Sequence, residues 1–518
     1  MDRNLHSSSV ADYLDDVTEQ IAYKPLRPSI RQELEAHIED RIEECKSRGV
    51  TSDEAIDRTL NNMGDAVSIG TDLNAIHRLQ KAPGLALAVA LMFLAGFVLS
   101  LFLQGSKEEL RQYIPDDMRN NFVYYIAGGT LFLLTAIKGY PFLIRKRKVL
   151  TWLAVIIYPL LLLKDFFWST FINFWFNFDI TDVATLLFIP LIAILLYCLR
   201  RNDKKFLPVI IGFLCVWMTQ IGSSLYDSVT ILLMSTLCTI GFMIHRHILP
   251  GQRKTLGSIA IIAAVILGSP LIMTSDNRLQ VKNFFFPPAK AESWQDFYTY
   301  DSLLIQELLS KTPLTHGLSL TPEEMMNYGT GVWYFTSEEP DQIFLDASGL
   351  ENEEQKQAYD EKVWNLGIQG YHPKRIRYTA EDVTLRDILP YHYTYYLSAV
   401  GIILFGWLPG LLLIGMVVLF YLLLFRYILR IHGHLASSLA FSCGQCLLWQ
   451  GILYLLRNFG YGYLFGSFPS LPLISESNIN IIFNMVLLGL IFSAYRYDHV
   501  MDEPLEQPVI SPEQSAVI

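Results

Sequence analysis

Ten apolar runs, most of them close to the length that crosses a bilayer, limit what this chain can fold into more than any other feature. They cover residues 85–103, 122–143, 150–163, 183–198, 206–221, 228–244, 256–273, 395–424, 435–456 and 481–494. A helix needs about 20 apolar residues to span ~30 Å of hydrocarbon, where every backbone polar group must be paired within the protein. The third, fifth and last runs are short or interrupted, so the expected count is ten, within two. The predicted fold class is all-α: a polytopic membrane helix bundle of about ten spans. Composition agrees, with 52% hydrophobic and only 17% charged residues, where a soluble chain is nearer a quarter charged.

Charge divides the chain further. The net charge of -10 comes mainly from the first 80 or so residues and from a polar stretch between the seventh and eighth runs. No basic domain points to nucleic acid. The cations near the apolar runs are clustered: Arg145 to Lys148, Arg200 and Arg201 with Lys204 and Lys205, Arg246 with Arg253 and Lys254, Arg426 with Arg430, and Arg496. With ten spans and a cytoplasmic N-terminus, every cluster falls on the cytoplasmic side. The start of the chain is polar and acidic, unlike a cleavable signal. The expected location is therefore the cell membrane, multi-pass, with both termini in the cytoplasm.

Five segments follow. Residues 1–82 carry apolar side chains at helical spacing (Val10, Leu14, Val17, Ile21, then Ile30, Leu34, Ile38) and predict a cytoplasmic helical domain, with Gly64 ending a third helix. Residues 83–274 hold spans one to seven, and residues 395–496 hold spans eight to ten. Residues 275–394 are far longer than an ordinary connector. Their aromatic residues predict an ordered extracytoplasmic subdomain, in which LLIQELLSK reads as helix. Residues 497–518 are expected to be a disordered cytoplasmic tail. Six cysteines, none in the polar segment, imply no disulfide framework. Cys443 and Cys446 form a CxxC in an apolar run, where helix packing is the expected role. Asn480 and Asn484, one turn apart, are expected to hydrogen-bond a neighbouring helix.

Two resemblances add to this. The stretch from Tyr13 to Arg78, with its HIEDRIEE and MGDAVSIGTDLNAIH segments, resembles the helical prefix domain found before bacterial permeases, which implies an interaction or regulatory module without catalytic residues. The membrane part resembles the SEDS family of bacterial cell-wall proteins (FtsW, RodA and SpoVE). The likeness rests on the large loop between spans seven and eight and on LPYHYTYYLSAVGIILFGWLPG, which matches the family's re-entry motif in Leu389, Pro390, Thr394, Ala399, Val400 and Gly410. It also rests on GSFPSLPLISESN near the last span, on Asp182 and Asp227 near outer span ends, and on Arg278 after span seven.

The family polymerises glycan from lipid II, with an aspartate of that motif proposed as catalytic. Tyr395 occupies the matching position, and a phenol with a pKa near 10 is a poor base at neutral pH. The resemblance therefore implies a divergent member acting in cell-wall synthesis, division, shape or sporulation, without the family's catalytic aspartate. Arg278, Asp182, Asp227 and Thr394 are the expected substrate-binding residues. Expected partners are the bilayer, a lipid-linked cell-wall precursor, and a membrane protein such as a class B penicillin-binding protein. No cofactor or metal site is expected, and a divalent metal enters only if the protein is active. Two alternatives stay open: an active glycosyltransferase using a displaced carboxylate such as Asp387, and a permease-like transporter or membrane sensor.

Overall fold

The computed structural model describes residues 2–105, 121–176, 180–202, 204–212, 227–249, 251–272, 275–286, 297–321, 324, 342–346, 357–358, 372–376, 396–461 and 478–501. Four helices open the chain: α1 (Asp2–Glu19), α2 (Arg27–Ser47), α3 (Ser52–Met63) and α4 (Ala66–Ile76). Their buried faces carry periodic side chains of the sequence, Leu14, Val17, Ile30 and Ile38, and Ile21 is buried in the turn after α1. Helix α3 stops at Gly64, and the Asp65 carboxylate accepts the Ser68 N–H at 2.9 Å, pairing one of the free donors at the start of α4.

The apolar runs fold into a helix bundle, so the chain is an all-α membrane protein. Its helices are α5 (Pro83–Gly105), α6 (Asn121–Phe176), α7 (Ile180–Leu199), α8 (Asp227–His245) and α9 (Gln252–Ile272). After the polar segment come α12 (Leu397–Phe405), α13 (Trp407–Ile428), α14 (His434–Asn458) and α15 (Asn478–Tyr497). Among the described residues, four helical stretches are long and apolar enough to cross a membrane: Val123–Trp152, Trp407–Ile428, His434–Asn458 and Asn480–Tyr497. The polar segment contributes α10 (Ser275–Phe285) and α11 (Phe297–Lys311). It also holds a short parallel pair, β1 (Gln342–Asp346) with β2 (His372–Ile376), with Gln342 opposite His372.

Two expectations change. The second and third apolar runs lie in one uninterrupted helix, α6, with Arg145 to Lys148 inside it rather than in a connecting turn. RKRKVLTW contains neither glycine nor proline, so nothing in it opposes continued helix. The eighth run is instead two helices, broken at Gly406, whose φ of 95° lies in the left-handed region. Helix α12, with 9 residues, rises only about 13 Å and cannot span a bilayer. The crossing helix is α13.

The bundle has a basic end and a loop end. At the basic end the Arg246 guanidinium donates to the Leu429 carbonyl, and the Lys254 ammonium donates to the Arg200 carbonyl. The four-helix domain docks at this end. The Gln80 N–H donates to the Arg496 carbonyl at 3.0 Å, and the rings of Tyr23 and Tyr497 meet edge to face. Val500 packs with Ile21, Leu26 and Ile30. Order thus extends past Arg496 to Met501, while residues 502–518 lie outside the described set. The Asp498 carboxylate accepts the N–H groups of His432 (2.9 Å) and Gly433 (2.7 Å), holding the start of α14 against the end of α15.

Within the bundle, Cys443 and Cys446 are fully buried on α14, as helix packing requires. Asn484 departs from expectation: it is 0% exposed, and neither amide atom has a hydrogen-bond partner among the described residues.

Candidate functional site

At the loop end, α12 begins without a local cap. Its N-cap residue, Tyr396, makes no side-chain capping bond, although the first N–H groups of any helix lack partners within it. Helix α14 supplies them. The Tyr454 hydroxyl accepts from the Ser398 N–H and from the Ser398 hydroxyl, each at 3.2 Å, and the Asn458 side-chain oxygen accepts the Ala399 N–H at 2.9 Å. The Asn458 amide nitrogen in turn donates to the Tyr454 carbonyl at 2.9 Å, which fixes the amide's orientation.

Helix α11 lies over this junction. Leu303, Leu304, Ile305, Leu308 and Leu309 form one apolar cluster with Tyr396, Ala399, Val400, Ile402 and Ile403. The Gln306 amide donates to the Gly460 carbonyl (2.8 Å), tying α11 to the end of α14, and the Trp407 indole N–H donates to the Leu309 carbonyl (3.1 Å). The chain after α11 then pairs with the α12–α13 break: Leu318 N–H to Ile403 carbonyl at 2.7 Å, Leu408 N–H to Leu314 carbonyl at 2.8 Å. A Cβ on Gly410 would overlap Ile402, so that glycine of the motif is needed where α13 passes α12. The re-entry segment is therefore a short helix clamped between α11, α13 and α14.

Two charges are buried in this layer, Asp301 on α11 (4% exposed) and Arg457 on α14 (1% exposed). Burial pushes the Asp301 carboxyl up to about 7, and the Arg457 charge pulls against that rise. A carboxyl poised near neutral pH can both take and release a proton. The Arg457 guanidinium, close enough to act on that carboxyl electrostatically, supplies fixed positive charge for an anionic group.

The residues expected from the sequence are distributed differently. Tyr395, Thr394 and Asp387 lie outside the described residues, although Tyr396, directly after Tyr395, is the buried N-cap of the clamped helix. Asp182 and Asp227 sit at the starts of α7 and α8, the ends away from the basic clusters, and their side chains are outside the described set. Arg278 is exposed on α10. Among the described residues, no three His, Cys, Asp or Glu side chains gather as metal ligands do.

Asp301 and Arg457 were not anticipated, but both left a signal. Asp301 shares a helical face with Leu304, Ile305 and Leu308, where an acid is out of place. Arg457 follows directly on the ninth apolar run.

No protein-family model matches the chain, and no curated protein matches it. Among solved structures, it is similar to a chain described under "structural coordination of polymerization and crosslinking by a peptidoglycan synthase complex", with 15% identity and a TM-score of 0.48, covering 80% of this chain and 98% of that one.

Proposed function

We propose that this chain is a divergent SEDS-like membrane protein of bacterial cell-wall synthesis that holds a lipid-linked precursor at its loop end. The observation that carries this reading is the clamped re-entry helix. The segment with the family's motif residues Ala399 and Val400 is fixed by Tyr454 and Asn458, and Asp301 and Arg457 are buried on the two helices α11 and α14 that hold it. This places hydrogen-bonding and charged groups at a bundle end, where a lipid-borne headgroup meets protein. The basic clusters gather with the four-helix domain at the other end, which supports cytoplasmic termini and an outward-facing loop end. The reading includes Arg278, Asp182, Asp227 and Thr394 as headgroup contacts and a class B penicillin-binding protein as partner. Tyr395 stands at the family's aspartate position, so the family's own route to catalysis is not available here.

The test is binding of lipid II to the purified full-length protein in bilayer discs. Saturable binding that exceeds binding of the same disc lipids without lipid II is expected, and it should weaken in Asn458→Leu. Equal signals with and without lipid II would sink the proposal.

A further inference from the structure

We propose that the cavity between α7, the helical segment 206–212 and α8 holds one acyl chain of an anionic phospholipid, whose phosphate is bound by Lys204 and Lys205 at the membrane surface. The inference is independent of the precursor reading above, which concerns the opposite end of the bundle.

The cavity encloses about 260 Å³ with its open side, and its walls include Ile192, Leu195 and Leu199 of α7, Val209 and Ile210, and Thr236 of α8. Thr236 is the polar member, and its hydroxyl donates to the Leu232 carbonyl at 2.7 Å. A buried water needs several polar partners, and these walls offer one hydroxyl already engaged, so the space suits hydrocarbon. From Leu199 to Ile192 the lining runs about 10 Å along α7, inward from the basic end.

The charge stands at the Leu199 end of the cavity. The turn that joins α7 to the segment 206–212 carries Arg200, Arg201, Lys204 and Lys205 against one acid, Asp203. Backbone bonds tie this turn to the walls. The Asn202 N–H donates to the Leu199 carbonyl at 2.8 Å, the Asn202 side-chain oxygen accepts the Lys205 N–H at 3.1 Å, and the Val209 N–H donates to the Lys205 carbonyl at 3.1 Å. Val209 thus stands one helical turn from Lys205. Arg200 folds back onto α7, its guanidinium 3.5 Å from the centre of the Tyr197 ring and donating to the Tyr197 carbonyl. Lys204 and Lys205 are exposed. The acids of α7 and α8, Asp182 and Asp227, sit at the far ends of those helices. A pair of cations beside an apolar slot at a bundle end recognises a phosphate headgroup and its chain together.

The experiment places the full-length protein in bilayer discs of phosphatidylcholine with a minor fraction of phosphatidylglycerol that carries a photoreactive group on one acyl chain. Photoreactive phosphatidylcholine is the matched control. Phosphatidylglycerol is expected to label the peptides holding residues 192–199 and 209–210 about tenfold more than the control does, the scale of cations at a membrane surface. Lys204→Gln combined with Lys205→Gln changes exposed side chains alone, so thermal unfolding should hold while labelling falls to the control level. Val209→Phe fills the cavity from its half-buried edge and should abolish labelling of 192–199, with labelling of the exposed Leu133 on α6 unchanged. Equal cavity labelling by the two lipids would overturn the proposal. Wild-type protein labelled on α6 and not at the cavity would overturn it too, since the space would then be a packing void.

Discussion

The Asn458 side chain accepts the backbone N–H of Ala399 at 2.9 Å, so the last residue of one membrane helix caps the first turn of another. Both residues are buried. Replacing Asn458 by leucine leaves a buried donor unpaired, which costs about 1–3 kcal/mol. Tyr454→Phe removes the acceptor for Ser398 at a cost nearer 1 kcal/mol. Thermal unfolding of the detergent-solubilised protein should show both losses, and their sum should differ from the double variant because Tyr454 and Asn458 hold the same first turn of α12.

Asp301 makes stability depend on pH in an unusual direction. Its carboxyl titrates near 3.8 when unfolded and at about 7 when folded. Between those values the folded chain keeps a proton that the unfolded chain has lost, so stability falls as pH rises from about 4 to about 7 and then levels off. The scale is about 4 kcal/mol. Asp301→Asn removes the dependence, so the variant should gain on the wild type as pH rises and be the more stable of the two at pH 8. Parallel wild-type and variant unfolding curves across this range would refute the assignment of a raised carboxyl.

Gly406 separates α12 from α13 with a φ of 95°, and a Cβ there would lie 2.8 Å from the backbone N and O of His316. Gly406→Ala combines left-handed strain of about 1–2 kcal/mol with displacement of the 313–318 segment. A lower melting temperature is expected, together with weaker lipid II binding. A melting temperature equal to the wild type's would mean that the break does not depend on this glycine.

At the opposite end, Asp498 receives two backbone N–H groups at the start of α14, and its side chain is fully buried. Asp498→Ala removes both acceptors and an anion from a helix N-terminus, a loss of about 1–2 kcal/mol. The junction with the four-helix domain should loosen, seen as faster tryptic cleavage at Arg78 and Lys81, which lie in the connection to α5. Unchanged cleavage rates would show that the domain is held by other contacts.

Asn484→Leu should act in the opposite sense. The buried amide has no partner among the described residues, and exchanging it for an apolar side chain of similar size removes a desolvation penalty of about 1–3 kcal/mol. A higher melting temperature is expected. A lower one would reveal a bond to a part of the chain outside the described set.

The amino-acid sequence by itself determined the membrane class, most of the helices and the small N-terminal domain, because those follow from hydrophobic length and from period along a continuous stretch. Leu14 and Val17 on the buried face of α1, and Gly64 at the end of α3, were legible in that way. The re-entry segment was legible as a place, through Ala399, Val400 and Gly410, and not as a shape. Its apolar run holds breakers at Gly406 and Pro409, and the close approach of the His316 backbone decides that the turn falls at Gly406.

Only the tertiary structure brought Asp301 and Arg457 into one buried layer, set Asn458 as the cap of a helix that starts before it in the chain, and joined Asp498 to His432 and Gly433. The physical reason is common to all three. A charge's proton affinity and a backbone group's pairing depend on what lies within a few ångströms, and those neighbours come from stretches far apart in the sequence.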